Sequence, residues 1–165
     1  MRREEKPSHA RTIFAGLVGG VAMNVVMLIT FRLLGFGMNA NGILLDPNLQ
    51  SSKVIDVWTK IQPLPLVVDR PAAIIAGIVL FGVIHAYIYR SIRPAWRAGI
   101  AWRGSVFSLV VFAMTFVFWE FFTPFNQLGE PLLLIALELA FWALIALADG
   151  YTIAAIMEHG RAQRA

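Results

Sequence analysis

The sequence predicts an all-α integral membrane protein: a four-transmembrane-helix bundle with an extracytoplasmic amphipathic helix between spans one and two. Three observations carry this expectation. The 165 residues are 58% hydrophobic and only 15% charged, against about 25% charged in an ordinary soluble domain. The apolar residues are gathered into four blocks, each long enough for a bilayer core that needs roughly 20 apolar residues. The basic residues are concentrated on one of the two sides that such a topology creates. Residues 1–165 read as one membrane domain, with no internal repeat and no low-complexity segment.

Span one is expected at about 12–34, from the uncharged block TIFAGLVGGVAMNVVMLITF. It follows a basic start, MRREEKPSHAR. Its apolar stretch exceeds a signal peptide's h-region of about 7–15 residues and no small-x-small site follows, so it reads as an uncleaved span. Thr12, Gly16, Gly20 and Asn24 recur every four residues. Gly16 and Gly20 at that spacing let a second helix approach closely. The Asn24 amide, near mid-membrane, should seek a hydrogen bond across helices, with the partner expected in the same chain.

The connection 35–70 is the one long loop. Asp46-Pro47 reads as a helix start, with Asp as N-cap and Pro in the first turn. From there Val54, Val57, Trp58 and Ile61 gather on one side, and Lys53, Asp56 and Lys60 on the other. That is a short amphipathic helix lying on the outer surface or capping the bundle. Two readings of this loop stand: a packing cap, or a lid or docking surface.

Span two is expected at 71–90, where His85 is the one titratable side chain before Tyr87 and shares a face with Gly82 and Tyr89. Span three is expected at 102–122 and contains Glu120, about one turn before Pro124 and beside Trp119. Glu120 should therefore meet water or head groups, as part of an outer vestibule leading towards Glu138. Span four is expected at 131–157 and holds Glu138 and Asp149. The connections after spans two and three are short, so spans two and three, and three and four, should be antiparallel neighbours.

Ten of the fourteen basic residues lie with the termini and the 90–103 connection. By the positive-inside rule both termini are cytoplasmic, in a plasma (inner) membrane. The net charge of +4 reports this asymmetry and calls for no nucleic acid. Four of the five tryptophans fall near expected interfaces, as in an aromatic belt. The expected partners are the lipid bilayer and a homo-oligomer or larger membrane complex.

The absence of cysteine excludes disulfides, thiolate metal sites and iron–sulfur clusters within the chain. Glu138 and Asp149, eleven residues apart, lie within about 20° of one helix face and about 16 Å apart along it. A carboxylate on the lipid face is costly, so that face should point inward. His85 lies at a depth that lets it reach Asp149. The pair reads either as an acid–base site or as a bond fastening span two to span four. Glu138, His85, Asp149, Asn24 and Tyr89 form the intramembrane polar set. One histidine and two separated carboxylates make no metal triad, so no metal site is assigned and the cofactor is left open. No phosphate loop, nucleophile elbow or zinc motif occurs. The leading functional expectation is a non-catalytic accessory, assembly or scaffolding subunit. The alternatives are a small proton- or cation-coupled carrier or channel using Glu138, and a membrane redox or lipid-modifying enzyme using His85 and Asp149.

Overall fold

The computed structural model describes residues 7–159, which are all-helical with no strand. Four helices are long and apolar enough to cross a membrane: span one (His9–Gly35), span two (Pro71–Ala95), span three (Ile100–Phe125) and span four (Leu132–Glu158). The chain is a multi-pass membrane protein built as a four-helix bundle. Ser8 caps span one, its side chain accepting from the Arg11 N–H at 3.3 Å, and Pro71 opens span two where its missing N–H costs nothing. Below, the end of the bundle that carries residues 36–70 is called the loop end, and the other the terminal end.

The spans pack in the order two, one, four, three. Spans three and four are packed neighbours as expected, but the expected pairing of spans two and three is not found. A short connection permits adjacency; the glycine faces decide it. A Cβ added at Gly16 would stand 2.4 Å from Val83 Cα, and one at Gly20 would stand 2.5 Å from Val79 Cα. At Gly82 the same addition would meet the Gly16 carbonyl oxygen at 2.5 Å. Spans one and two therefore touch backbone to backbone, which only glycine allows. Asn24 adds a hydrogen bond across this seam, donating from Nδ2 to the Ile75 carbonyl at 3.3 Å as well as to Gly20 at 2.9 Å. Where spans two and three do meet, they meet through rings: His85 and Tyr89 each lie edge-on to Phe107, at centroid distances of 6.1 and 5.3 Å.

The loop helix is present but shorter than the sequence suggests. It runs Ser52–Thr59 and is capped by Ser51, not by Asp46. Asp46 Oδ1 instead accepts from the backbone and side chain of Asn48, at 2.8 and 2.9 Å. This local turn competes with capping, as Asp readily does. Val54 is the buried residue of the helix, and Trp58 stacks towards Phe36 at 4.2 Å. Ile61 lies beyond the helix and is exposed, so it is not part of the packed face.

The loop is fastened to the 126–131 connection. Gln50 Nε2 donates to Glu130 and to the Leu44 carbonyl, and Ser51 Oγ donates to the Leu128 carbonyl. Glu130 is buried, and burial pushes its carboxyl above the usual carboxylate range, against the opposing pull of the Gln50 hydrogen bond. An acid whose folded value is raised supplies stability that is full below its unfolded value and lost as pH climbs through the folded one. The wild-type melting temperature should therefore fall more steeply with rising pH than that of Glu130→Gln, which keeps an acceptor for Gln50. Parallel melting curves across that pH range for the two proteins would contradict this.

Candidate functional site

Span four brings three acids inside the bundle. Glu138, Asp149 and Glu158 are 7%, 0% and 7% exposed. At 1.5 Å rise they mark three levels, about 16 and 14 Å apart.

At the middle level His85 Nδ1 stands 2.6 Å from Asp149 Oδ2. Both side chains are buried, and Phe81 and Phe107 wall the imidazole at ring distances of 4.3 and 6.1 Å. The other aspartate oxygen, Oδ1, has no hydrogen-bond partner. It faces Gly19, where an added Cβ would come within 2.7 Å of it. Sequence reasoning takes Gly19, with Gly20, as a packing feature inside the span; here Gly19 gives span four's carboxyl its room. Asp149 fixes the imidazole through Nδ1 and leaves Nε2 as the ring's other polar atom.

At the loop end the Trp142 indole N–H donates to Glu120 Oε1, and the other oxygen, Oε2, is buried without a hydrogen-bond partner. Trp142 stacks on Phe116 at 4.4 Å and leans on Phe31 at 4.6 Å. This corrects the expectation for Glu120. It is fully buried, not an interfacial group in a vestibule. The reason is helix phase. Val111 faces the interior, and nine residues further along an α-helix is about 900°, half a turn off. An unbroken α-helix would thus turn Glu120 outward. Span three instead runs through a π-helical stretch at Phe112–Val117, whose slower winding brings Glu120 back to the core.

At the terminal end lies a cluster that sequence reasoning missed. Glu158 accepts from Arg93 Nη1 at 2.6 Å, Arg103 Nη1 at 2.8 Å and the Tyr89 hydroxyl at 3.1 Å. Arg103 also donates to the Trp96 carbonyl at 3.1 Å. Both arginines are 1% exposed, although the sequence counts them as loop charges. A signal was available: His85, Tyr89 and Arg93 recur every four residues on one side of span two. The expected Tyr89 contribution belongs to this cluster and not to the His85–Asp149 level.

The three levels are separated by apolar layers. Ile145 and Ala146 lie between Glu138 and Asp149, and Ile153 and Ala154 between Asp149 and Glu158, all at most 1% exposed. A shallow groove of about 380 Å³ on the flank of span three is lined by Met114, Thr115, Phe116, Phe118, Trp119 and Trp142. Its lining is apolar but for one threonine, so it offers little hydrogen bonding. Among the described residues no three His, Asp or Glu side chains converge to hold a metal ion. No family model, curated protein or solved structure matches the chain.

Proposed function

We propose that the chain is a non-catalytic membrane subunit, an accessory, assembly or scaffolding element whose internal polar contacts lock four spans into one rigid body. One observation carries this reading. Two of the three acids of span four, Asp149 and Glu158, are partnered by another span, and apolar layers separate the three levels. A carrier using Glu138 needs a polar route onward from it, and Ile145 and Ala146 fill that position. An enzyme using His85 needs its substrate to reach an imidazole that is buried between two phenylalanines.

The subunit lies in a plasma (inner) membrane with both termini cytoplasmic, on the side richer in arginine. It works with copies of itself or within a larger membrane complex, presenting its exposed apolar surface to lipid and neighbouring spans. The test is proton flux. Purified protein in liposomes, with a pH gradient and an internal pH dye, should relax the gradient no faster than protein-free liposomes. A faster relaxation that disappears in Glu138→Gln would overturn the scaffold reading in favour of a carrier.

A further inference from the structure

At the terminal end of the bundle the described residues set Arg11, Arg90, Arg93, Arg97 and Arg103 against one carboxylate at that level, Glu158. Three of these arginines are engaged by the chain itself. Arg93 and Arg103 share Glu158. Arg11 donates from Nε to the Ile156 carbonyl at 2.7 Å and from Nη2 to the His159 carbonyl. Arg97 is exposed in the connection after span two. Arg90 is different. It is half-buried against span one, yet among the described residues no carboxylate or carbonyl accepts from it.

What Arg90 touches is His9: its Nη1 lies 3.2 Å from both ring nitrogens. A neutral imidazole has a single acceptor nitrogen, and the Tyr87 hydroxyl, 3.2 Å from His9 Nδ1, competes for the same ring. The contact therefore positions the guanidinium and leaves its charge unmatched. The glycine seam explains how the three meet. Gly16 and Gly82 hold spans one and two backbone to backbone, so His9 at the start of one span stands level with Tyr87 and Arg90 at the end of the other. Arg90 Nε is buried without a partner, so the fork meets anything outside the protein through its terminal nitrogens. Span one begins beside it. The His9 and Ala10 N–H groups have no acceptor within the helix, since Ser8 takes those of Arg11 and Thr12. A helix start and a guanidinium both favour an anion, and the guanidinium fork matches a phosphate. One turn further into the membrane on the same helix faces, Ile13 and Ile84 are exposed.

We propose that Arg90, His9 and Tyr87, with the first turn of span one, form a binding site for one anionic phospholipid. The lipid phosphate accepts from the terminal nitrogens of Arg90, and the acyl chains run along Ile13 and Ile84. The occupant is a lipid because these donors stand where two spans leave the hydrocarbon, with apolar side chains directly beneath them. Its headgroup carries net negative charge, because an ammonium headgroup would bring a second cation to Arg90. Arg90 also lies in the last turn of span two and offsets that helix dipole, a role that would select no headgroup. The site stands whether or not the chain is a scaffold.

Native mass spectrometry of the full chain, released from vesicles of equal phosphatidylglycerol and phosphatidylcholine, tests this. Wild type should retain one phosphatidylglycerol in preference to phosphatidylcholine. In Arg90→Gln the ratio of the two lipids on the protein should fall about tenfold, the lower end for hydrogen bonds to a charged group. Arg97→Gln, at an exposed arginine of the same end, should change the ratio by no more than about twofold. His9→Ala removes the contact that positions Arg90 but no arginine; it should lower the ratio by a smaller factor than Arg90→Gln, and it serves if that variant does not fold. Inorganic phosphate at millimolar concentration should not displace the lipid. No preference in wild type, an unchanged ratio in His9→Ala, or equal losses in Arg90→Gln and Arg97→Gln would overturn the proposal, the last because diffuse charge would then account for the binding. Displacement by inorganic phosphate would overturn it too, since the site would then be one for a soluble anion.

Discussion

Replacing Glu158 with alanine is expected to destabilise the bundle by about 3–5 kcal/mol, the range for removing one partner of a buried ion pair. Its carboxylate is the shared acceptor for Arg93, Arg103 and the Tyr89 hydroxyl. Without it, two guanidinium groups that are 1% exposed lose the carboxylate they share. The loss should be read by unfolding in a denaturing-detergent titration, or as a lowered melting temperature. Glu158→Ala combined with Arg93→Met and Arg103→Met should recover much of the stability, because an apolar replacement of a whole buried charge cluster is often neutral or better. A single-variant loss below about 1 kcal/mol, the scale of an exposed pair, would show that the cluster is solvated.

The second large effect is expected at Gly16. A valine there needs space that Val83 Cα occupies at 2.4 Å, and backbone cannot swing aside as a side chain can. Span two must move away from span one. Overpacking of this kind costs about 1–3 kcal/mol and occasionally more; the upper end is expected here because Gly20 and Gly82 share the seam. Gly77 is the internal control. It lies in the same span two with nothing within 4 Å of an added Cβ, so Gly77→Ala should be neutral to within about 0.5 kcal/mol. Equal losses at Gly16 and Gly77 would mean that the seam is not close-packed. Span two also carries His85, so Gly16→Val should weaken the His85–Asp149 contact. The histidine side-chain NMR signals would report that directly.

Much of the architecture is legible in the sequence because hydrocarbon imposes so simple a demand. Blocks of apolar residues must be helices, and their lengths set the spans. The sequence also brings Gly16, Gly20 and Asn24 to one seam, and the structure places span two there. What could not be read depends on phase and on choice of neighbour. Glu120 is expected at the interface from its depth, about one turn before Pro124 and beside Trp119, and depth does not say which way the side chain turns; the π-helical stretch at Phe112–Val117 turns it inward. Nothing in FAMTFV announces a π turn. The pairing of spans two and one, instead of two and three, depends on which glycine face meets which, and loop length is silent on that. Arg93 and Arg103 lie where an arginine can equally reach head groups or turn inward, and Glu158 lies one residue past the expected end of span four. Only when the three are seen together does their common level become apparent.

Each buried ionisable contact between spans described above has span four as one of its parties: Glu120 with Trp142, His85 with Asp149, and Arg93, Arg103 and Tyr89 with Glu158. Span four is also the last of the four to be synthesised. While a ribosome is still making it, His85, Glu120 and the two arginines already belong to inserted or emerging segments that lack their partners, and polar groups in that position are costly in lipid. The first three spans therefore form an incomplete intermediate that has to be sheltered, by the insertion machinery or by water at the bilayer surface, until Leu132–Glu158 arrives. The order of the chain makes release of the final span the step that commits this protein to its fold.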